Sequence, residues 1–364
     1  METRRAPRAA VRRSWRGRAP ASIADPPLAS TGATTGPLTV APSRSAPHVP
    51  VMVDRVASLL ADAPDGTVVD CTVGGGGHAA AVLRARAARG RPTSRLVAID
   101  RDPDALVEAE ARLADAPAPV DLVHARYDAL DRILDERGIG RVAGVLFDLG
   151  ISSMHVDRPE RGFSYRHEGP LDMRMDPTGG PTAADLVNTL ERGALAHLIR
   201  RYGEERFAHR VAAAIVRHRP LRTTTELAEV VRAAVPAATR RHGPHPATRT
   251  FQALRIAVND ELVALEAALP VAVDRLLPGG IVVALAYQSL EDRLVKRAFA
   301  DAAAACVCPP GLPVCACGRS PVVEVLTRRP ERPDPREVAD NPRARSARLR
   351  AARRLPDRSG RSHP

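Results

Sequence analysis

A glycine-rich turn between a strand and a helix is the strongest chemical pattern in this sequence. Residues 68–78 read Val-Val-Asp-Cys-Thr-Val-Gly-Gly-Gly-Gly-His, and the β-branched run from Thr67 to Cys71 predicts a buried strand. The glycines predict a tight turn, and the Ala, Leu and Arg residues of 79–88 predict a helix. Because glycines let a ligand approach the backbone and a helix N-terminus offers N–H groups, this pattern is typical of a nucleotide-binding unit.

An acid follows the next predicted strand. The run from Arg95 to Ile99 predicts that strand, and Asp100 ends it a little over 20 residues after the glycines, where nucleotide-binding folds place a ribose-binding carboxylate. Asp is also common at turns, so capping of the next turn is the alternative. Gly74, Gly76 and Ala79 also fit G-x-G-x-x-A, which leaves an NAD-type oxidoreductase open.

The alternation of strands and helices must position these residues. Further strands are predicted at 121–124, 144–147, 281–286 and 322–327, and a helix begins at Asp102 and Pro103. This alternation predicts an α/β fold with a parallel, doubly wound sheet. Ligands of such sheets bind at the carboxyl ends of the strands, where the glycine turn, Asp100, Tyr127 and Asp148 would meet.

The alternation is interrupted by a long polar loop and a run of helical patterns. We expect residues 152–256 to form an inserted helical domain, and residues 48–151 and 257–330 to form the sheet domain. Thr223 and Glu226 predict a capping box within the insertion. Phe163 and Tyr165, in the loop, either stack on a base or pack the loop itself.

The positive charge lies at the two ends of the chain. The net charge is +12; residues 1–47 contain eight arginines against two acids, and residues 328–364 contain twelve against five. We expect residues 1–47 to be a disordered basic arm and residues 331–364 to be a basic tail. Such charge suggests contact with a polyanion, with a dispensable arm as the alternative.

The apolar segments and the cysteines restrict the class of protein. No apolar run reaches the ~18 residues of a membrane span, and no signal-peptide pattern is present, so we expect a cytoplasmic protein without a membrane partner. Four of the five cysteines cluster at Cys306, Cys308, Cys315 and Cys317. Four thiolates could bind zinc, but C-x-C spacing is tighter than the usual C-x₂-C, so we expect reduced thiols and no metal site.

Several longer strings occur in a fixed order from about His48 to Leu355. They include Ala-Ile-Asp-Arg-Asp-Pro, Asp-Leu-Gly-Ile-Ser-Ser, Arg-Gly-Phe-Ser-Tyr, Gly-Pro-Leu-Asp-Met-Arg-Met-Asp-Pro, Tyr-Gly-Glu-Glu-Arg-Phe, Ser-Leu-Glu-Asp-Arg and Asn-Pro-Arg-Ala-Arg-Ser. Together they resemble the bacterial 16S rRNA (cytosine-N4)-methyltransferases, the MraW family. The resemblance implies a class I S-adenosylmethionine (SAM) fold with an inserted helical domain. It also implies methyl transfer from SAM to N4 of a decoding-region cytidine in the 16S rRNA of the 30S ribosomal subunit.

The resemblance also implies site residues. Gly76, Gly77 and His78 would lie at the methionine end of SAM, and Asp100 would bind the ribose hydroxyls. Tyr127 stands where the family has an aromatic residue near the adenine. Asp148 would lie close to the reacting centre, and it is our candidate acceptor of hydrogen bonds from the target amine, with binding of the SAM amino group as the alternative.

Two positions depart from the family pattern. His155 stands where many members have Gln, so its cofactor contact is less strongly implied. Gln288 replaces the usual His of His-Ser-Leu-Glu-Asp-Arg, and we expect a structural role there because Gln can replace one imidazole hydrogen bond. A non-catalytic RNA-binding protein that retains the SAM fold is the alternative from another class.

Overall fold

The computed structural model describes residues 50–237, 245–308 and 317–357. The predicted basic arm of residues 1–47 therefore lies outside the described residues, as do Cys315 and the last seven residues of the chain.

A seven-stranded sheet forms the centre of the molecule. Its strands are β1 Gly66–Asp70, β2 Thr93–Asp100, β3 Val120–His124, β4 Val142–Asp148, β5 Leu276–Ala286, β6 Val323–Val325 and β7 Arg348–Arg354. The spatial order is β3-β2-β1-β4-β5-β7-β6. Strands β1 to β5 pair in parallel, whereas β7 runs antiparallel to both β5 and β6. The predicted α/β fold is confirmed, with one antiparallel strand inserted near the edge.

Helices cover both faces of the sheet, which explains why its inner strands are almost continuously apolar. Val68 belongs to the core on one face, and its neighbour Val69 belongs to the core on the other. The first core receives the helices Val53–Ala61, Gly77–Ala88 and Pro103–Leu113; the second receives Leu130–Glu136, Glu261–Asp274 and Ser289–Ala303. Within the described ranges, no helix combines the length and the apolar character needed to cross a membrane.

A third hydrophobic core lies in the segment between β4 and β5. This segment contains the helices Ser153–Asp157, Ala183–Thr189, Arg192–Gly203, Ala208–Arg217, Thr224–Ala234 and Thr248–Asn259. The capping box of Thr223 and Glu226 is present. The predicted boundary at residue 256 falls inside the last of these helices, whose Val258 still belongs to the third core.

The C-terminal region contradicts the prediction of a basic tail over residues 331–364. Residues 348–354 form β7, where Leu349, Ala351 and Ala352 are fully buried between β5 and β6. Arg350 is buried too, and its Nε donates to Asp292 Oδ1 at 2.6 Å. A helix, Pro335–Asp340, precedes the strand. The prediction was wrong because arginines that form buried ion pairs resemble, in composition, arginines exposed to a polyanion.

Candidate functional site

The glycine turn after β1 requires glycine at two of its positions. Gly76 precedes the helix Gly77–Ala88 with φ of 78°, in the left-handed region that side chains disfavour. At Gly77 a Cβ atom would lie 2.4 Å from Pro50 Cγ. The turn thus brings the chain directly into a helix N-terminus, whose first N–H groups have no partner within the helix.

Asp100, at the end of β2, holds this turn. Its Oδ2 accepts a hydrogen bond from Gly74 N at 2.8 Å, and its Oδ1 accepts one from Asp102 N at 2.9 Å. Burial raises the pKa of Asp100 even though these amides oppose the rise. The turn role that the sequence left open is therefore real, and it places the carboxylate beside the glycines.

Asp148, at the end of β4, is held from three sides. Its backbone N–H donates to Thr72 Oγ1 at 2.6 Å. One carboxylate oxygen accepts from Tyr287 Oη at 2.9 Å, and the other lies 3.3 Å from His78 Nδ1. Thr72 follows β1, Tyr287 follows β5 and His78 lies at the start of a helix. Several elements together therefore set the position of the carboxylate.

His78 is buried against Asp148 and is held by a backbone carbonyl. Its Nε2 lies 2.9 Å from the Val51 oxygen, which can only accept, so Nε2 carries a proton. Burial lowers the pKa of His78, but the hydrogen bond to Asp148 and its charge outweigh burial, and the net shift is upward. His78 therefore directs Nε2 at the Val51 carbonyl and Nδ1 at the Asp148 carboxylate.

Asp70 is a buried acid to which the sequence analysis assigned no role. It ends β1, and its Oδ1 accepts from Thr72 N at 3.1 Å. Its Oδ2 is buried without a hydrogen-bond partner among the described residues. Burial raises the pKa of Asp70 to about 7, and the charge of His78 opposes the rise. Its place at a strand end, like those of Asp100 and Asp148, was the signal that could have identified it.

The acids and amides at this edge fit SAM. Asp70, Asp100 and Asp148 end β1, β2 and β4, which are adjacent in the sheet. SAM carries an ammonium group, a sulfonium, ribose hydroxyls and a carboxylate. Carboxylates suit the first three groups, and the N-terminus of the helix Gly77–Ala88 suits the last.

Tyr127 follows β3 in a short 3₁₀ turn. Ala125 N donates to the Asp100 carbonyl at 2.9 Å, so Tyr127 lies shortly after a contact with the end of β2. Its hydroxyl donates to the Glu261 carbonyl at 3.1 Å, and its ring meets Phe147 edge-on at 5.8 Å. Burial raises the pKa of Tyr127, which therefore stays a neutral phenol.

His155 joins the insertion to the sheet domain. Its Nε2 donates to Asp102 Oδ2 at 2.7 Å, and its Nδ1 lies 3.3 Å from Ser152 N, which donates to it. Arg161 also reaches Asp102, at 3.1 Å. The structure thus places His155 beside the acid that bonds to Asp100, where both of its nitrogens are used by protein groups.

Phe163 and Tyr165 are packed within the insertion. Phe163 is 8% exposed, and its ring lies against His155 at 4.7 Å. Tyr165 stacks on His245 at 4.7 Å, and its hydroxyl is 2.9 Å from Thr248 Oγ1. Of the two interpretations left open by the sequence, the geometry favours packing over stacking on a base.

Gln288 precedes the helix Ser289–Ala303 and contacts the insertion. Its Nε2 donates to Glu291 Oε1 at 2.9 Å, and its Oε1 accepts from Gln252 Nε2 at 2.7 Å. A side chain that bonds two elements in this way has the structural position expected for it.

Comparisons with known proteins give a family match over most of the chain and several similar proteins. The sequence profile of the MraW methylase family matches residues 45–355. The ribosomal RNA small subunit methyltransferase H of Thermobifida fusca is 55% identical over 313 residues, which cover 84% of this chain and 93% of that protein. The protein of the same name from Symbiobacterium thermophilum is 51% identical, over 85% of this chain and 96% of its own length. A solved rRNA methylase from Streptococcus thermophilus is only 13% identical over 85% of this chain and 100% of its own, with a TM-score of 0.37, so it adds nothing further.

Proposed function

Because the chain belongs to the MraW methylase family and is a SAM-dependent rRNA methyltransferase, we propose that it methylates the exocyclic N4 of a decoding-region cytidine in 16S rRNA. We choose N4 as the methylated atom because of the Asp148 carboxylate, which is held at a strand end beside the glycine turn. A carboxylate accepts hydrogen bonds, which suits an exocyclic amine better than a ring carbon, because the carbon has no proton to donate.

The family assignment replaces the two alternatives that the sequence left open. An NAD-type oxidoreductase rested only on the fit of Gly74, Gly76 and Ala79 to a dinucleotide pattern. The relatives of this chain are named as methyltransferases, so that interpretation is wrong. A non-catalytic RNA-binding protein is set aside by the same assignment.

Methylation at N4 needs help because the lone pair of the amine is delocalised into the cytosine ring. When bound, SAM supplies an electrophilic methyl group. Asp148 would accept a hydrogen bond from the amine, which orients N4 and increases its electron density. Once N4 has been alkylated it must lose a proton, and the same carboxylate would accept it.

Tyr287 and His78 act through Asp148 as positioning residues. Tyr287 donates to one carboxylate oxygen and His78 to the other. A carboxylate has about four acceptor positions, so these two bonds leave room for a bond to the substrate. Both neighbours donate to the carboxylate, so they fix its two oxygens in place for a bond to the substrate amine.

The insertion is our candidate for the RNA-binding part. A cytidine in folded RNA cannot reach SAM unless it is unstacked or the subunit is still assembling. The four arginines Arg200, Arg201, Arg206 and Arg210 are exposed on or near two consecutive helices of the insertion and form no ion pair with a described residue. Two of them lie over aromatic rings, Arg201 over Tyr202 and Arg206 over Phe207. Exposed guanidinium groups that form no ion pair can bind phosphates.

Methylation of 30S subunits with labelled SAM tests the proposal. Subunits from a strain without this modification would be incubated with the full-length chain, and their RNA would be digested and mapped. We expect label in one N4-methylcytidine of the decoding region. Label on C5, on a ribose oxygen or in the large subunit would contradict the proposal.

Replacement of Asp148 tests its assigned role. We expect Asp148→Asn to lower the single-turnover rate by roughly 10²–10³, as does loss of other preorganised polar groups, with little change in SAM affinity. Tyr287→Phe should lower the rate less, and Asp115→Asn, at an exposed site, should leave it unchanged. An equal loss of SAM affinity and rate in Asp148→Asn would instead make Asp148 a cofactor ligand.

A further inference from the structure

Three cysteine sulfurs converge outside the candidate SAM site. Those of Cys306, Cys308 and Cys317 all lie within 4.8 Å of one another. They occupy the connection between the helix Ser289–Ala303 and the edge strand β6. This strand is separated from β4 by β5 and β7, so the cluster belongs to a different part of the sheet from Asp148.

Burial does not explain this cluster. Cys306 is exposed, whereas Cys308 and Cys317 are half-buried, and Val307 between the first two is 57% exposed. By contrast, Cys71 is 1% exposed and packs in the core like a small apolar residue. Thiols brought together at a surface need a reason other than packing.

The distance between two of the sulfurs matches that between thiolates on one metal ion. Cys306 Sγ and Cys317 Sγ lie 3.8 Å apart. With Zn–S bonds of about 2.3 Å, the edge of a tetrahedron is roughly 3.8 Å. Disulfide sulfurs are about 2.0 Å apart, and thiolates on different irons of a cluster lie farther apart than this.

Backbone amides support the charged form of two of these sulfurs. Cys308 N donates to Cys306 Sγ at 3.4 Å, and Val307 N donates to Cys317 Sγ at 3.5 Å. Amides that point at sulfur stabilise a thiolate, which is the form that binds a metal. The tight C-x-C spacing, which argued against zinc in the sequence, is what lets the Cys308 amide reach the preceding sulfur.

We propose that Cys306, Cys308 and Cys317 bind one structural zinc ion, which closes the connection between the helix Ser289–Ala303 and β6. Thiolates are soft ligands that select zinc over magnesium or calcium. The main chain is already joined beside the cluster, where Val322 N donates to the Ala302 carbonyl at 2.8 Å. The ion would thus cross-link a connection whose two ends are already joined by this hydrogen bond.

Metal analysis of the full-length chain tests the proposal. Purified without chelators, it should contain about one zinc per chain, the content of one structural site. The double variant Cys306→Ser, Cys317→Ser should lose at least about nine-tenths of that metal, since chelation by the remaining thiols is incomplete. Cys71→Ala is the matched control, because it also removes a thiol but should keep the zinc.

Wild-type protein alone can overturn the proposal. A zinc content below about 0.1 per chain, even after incubation with Zn²⁺ and desalting, would reject a structural site of normal affinity. A mass two hydrogens lower than that of the fully reduced chain would instead identify a disulfide and reject the proposal equally.

Discussion

Asp148 shows how a single carboxylate can be both fixed and available. Its backbone is bonded to Thr72, and its two oxygens face Tyr287 and His78. Each partner belongs to a different element, so the side chain has little freedom to rotate when RNA arrives. Preorganisation of this kind is what a reaction of a weak nucleophile needs, because no reorganisation energy is then spent at the moment of reaction.

Asp100→Ala should weaken SAM binding. The substitution removes a charged acceptor for ribose and also the bond that holds Gly74, so we expect a loss of about 1.5–3 kcal/mol, or roughly 10- to 100-fold in affinity. Isothermal titration with SAM measures it. Thermal unfolding without SAM is the control, since it shows whether the variant is folded. Unchanged SAM affinity in a folded variant would show that Asp100 only holds the turn.

Asp70 should make the free protein less stable as the pH rises. Its pKa is about 7 in the folded chain against 3.8 for an ordinary Asp, so the folded state binds the extra proton between these values. Stability then falls as pH increases through that window. The raised pKa of His78 acts in the same direction, because its stabilisation is present at low pH and is lost above its folded value.

Asp70→Asn isolates the contribution of the carboxyl group. The amide retains an oxygen for Thr72 N but cannot ionise, so we expect the variant to gain more stability over the wild type at pH 8 than at pH 5, which lies early in the window between the two pKa values. Urea unfolding at both values of pH measures the difference. If the two chains differ equally at pH 5 and pH 8, Asp70 is already ionised in the folded wild type at pH 5, and the raised pKa is refuted.

At the scale of elements, the sequence predicted β1, β2, β4 and β5 because each contains an apolar run that must be buried on both faces, whereas β3, at the edge of the sheet, is only half-buried. It also placed Asp100 and Asp148, since an acid that ends such a run marks the strand's carboxyl end. It missed β7, whose Arg350 is buried only because Asp292 lies opposite it. Similarly, the hydrogen bond from Tyr287 to Asp148 joins residues that are far apart in the chain, and a local sequence pattern does not predict such a contact.

The arginines of the insertion test its assigned role in RNA binding. Converting Arg200, Arg201, Arg206 and Arg210 to Gln should reduce affinity for 30S subunits and lower the salt dependence by about one unit of slope per lost phosphate contact. SAM affinity should not change. The matched control converts Arg89, Arg132, Arg232 and Arg297, which are exposed but already form ion pairs. An equal effect of both sets would mean that net charge, and not this surface, binds the RNA.

At the scale of the whole molecule, the insertion and the sheet are joined by polar contacts that lie next to the site. Asp102 bonds to Asp100 and also holds His155 and Arg161 of the insertion. Gln288, one residue after Tyr287, bonds to Gln252 of the insertion. The residues that position Asp100 and Asp148 are thus adjacent in sequence to those that hold the insertion, so RNA bound by the insertion would be presented to the same edge of the sheet.

The two ends of the chain should differ in their importance, although both are basic. Deleting residues 1–45 should keep methyl transfer within about threefold, because the family match begins at residue 45 and an arm rich in Arg and Pro has little to bury. Deleting residues 342–364 should abolish cooperative unfolding, since it removes β7 and leaves β5 and β6 without their shared partner. Deleting only residues 358–364 is the control, as it also removes arginines but keeps β7. Circular dichroism melting and the 30S methylation assay compare the three. A folded, active chain without β7 would show that the strand is dispensable, and an arm deletion that loses activity at low salt would make the arm an RNA contact.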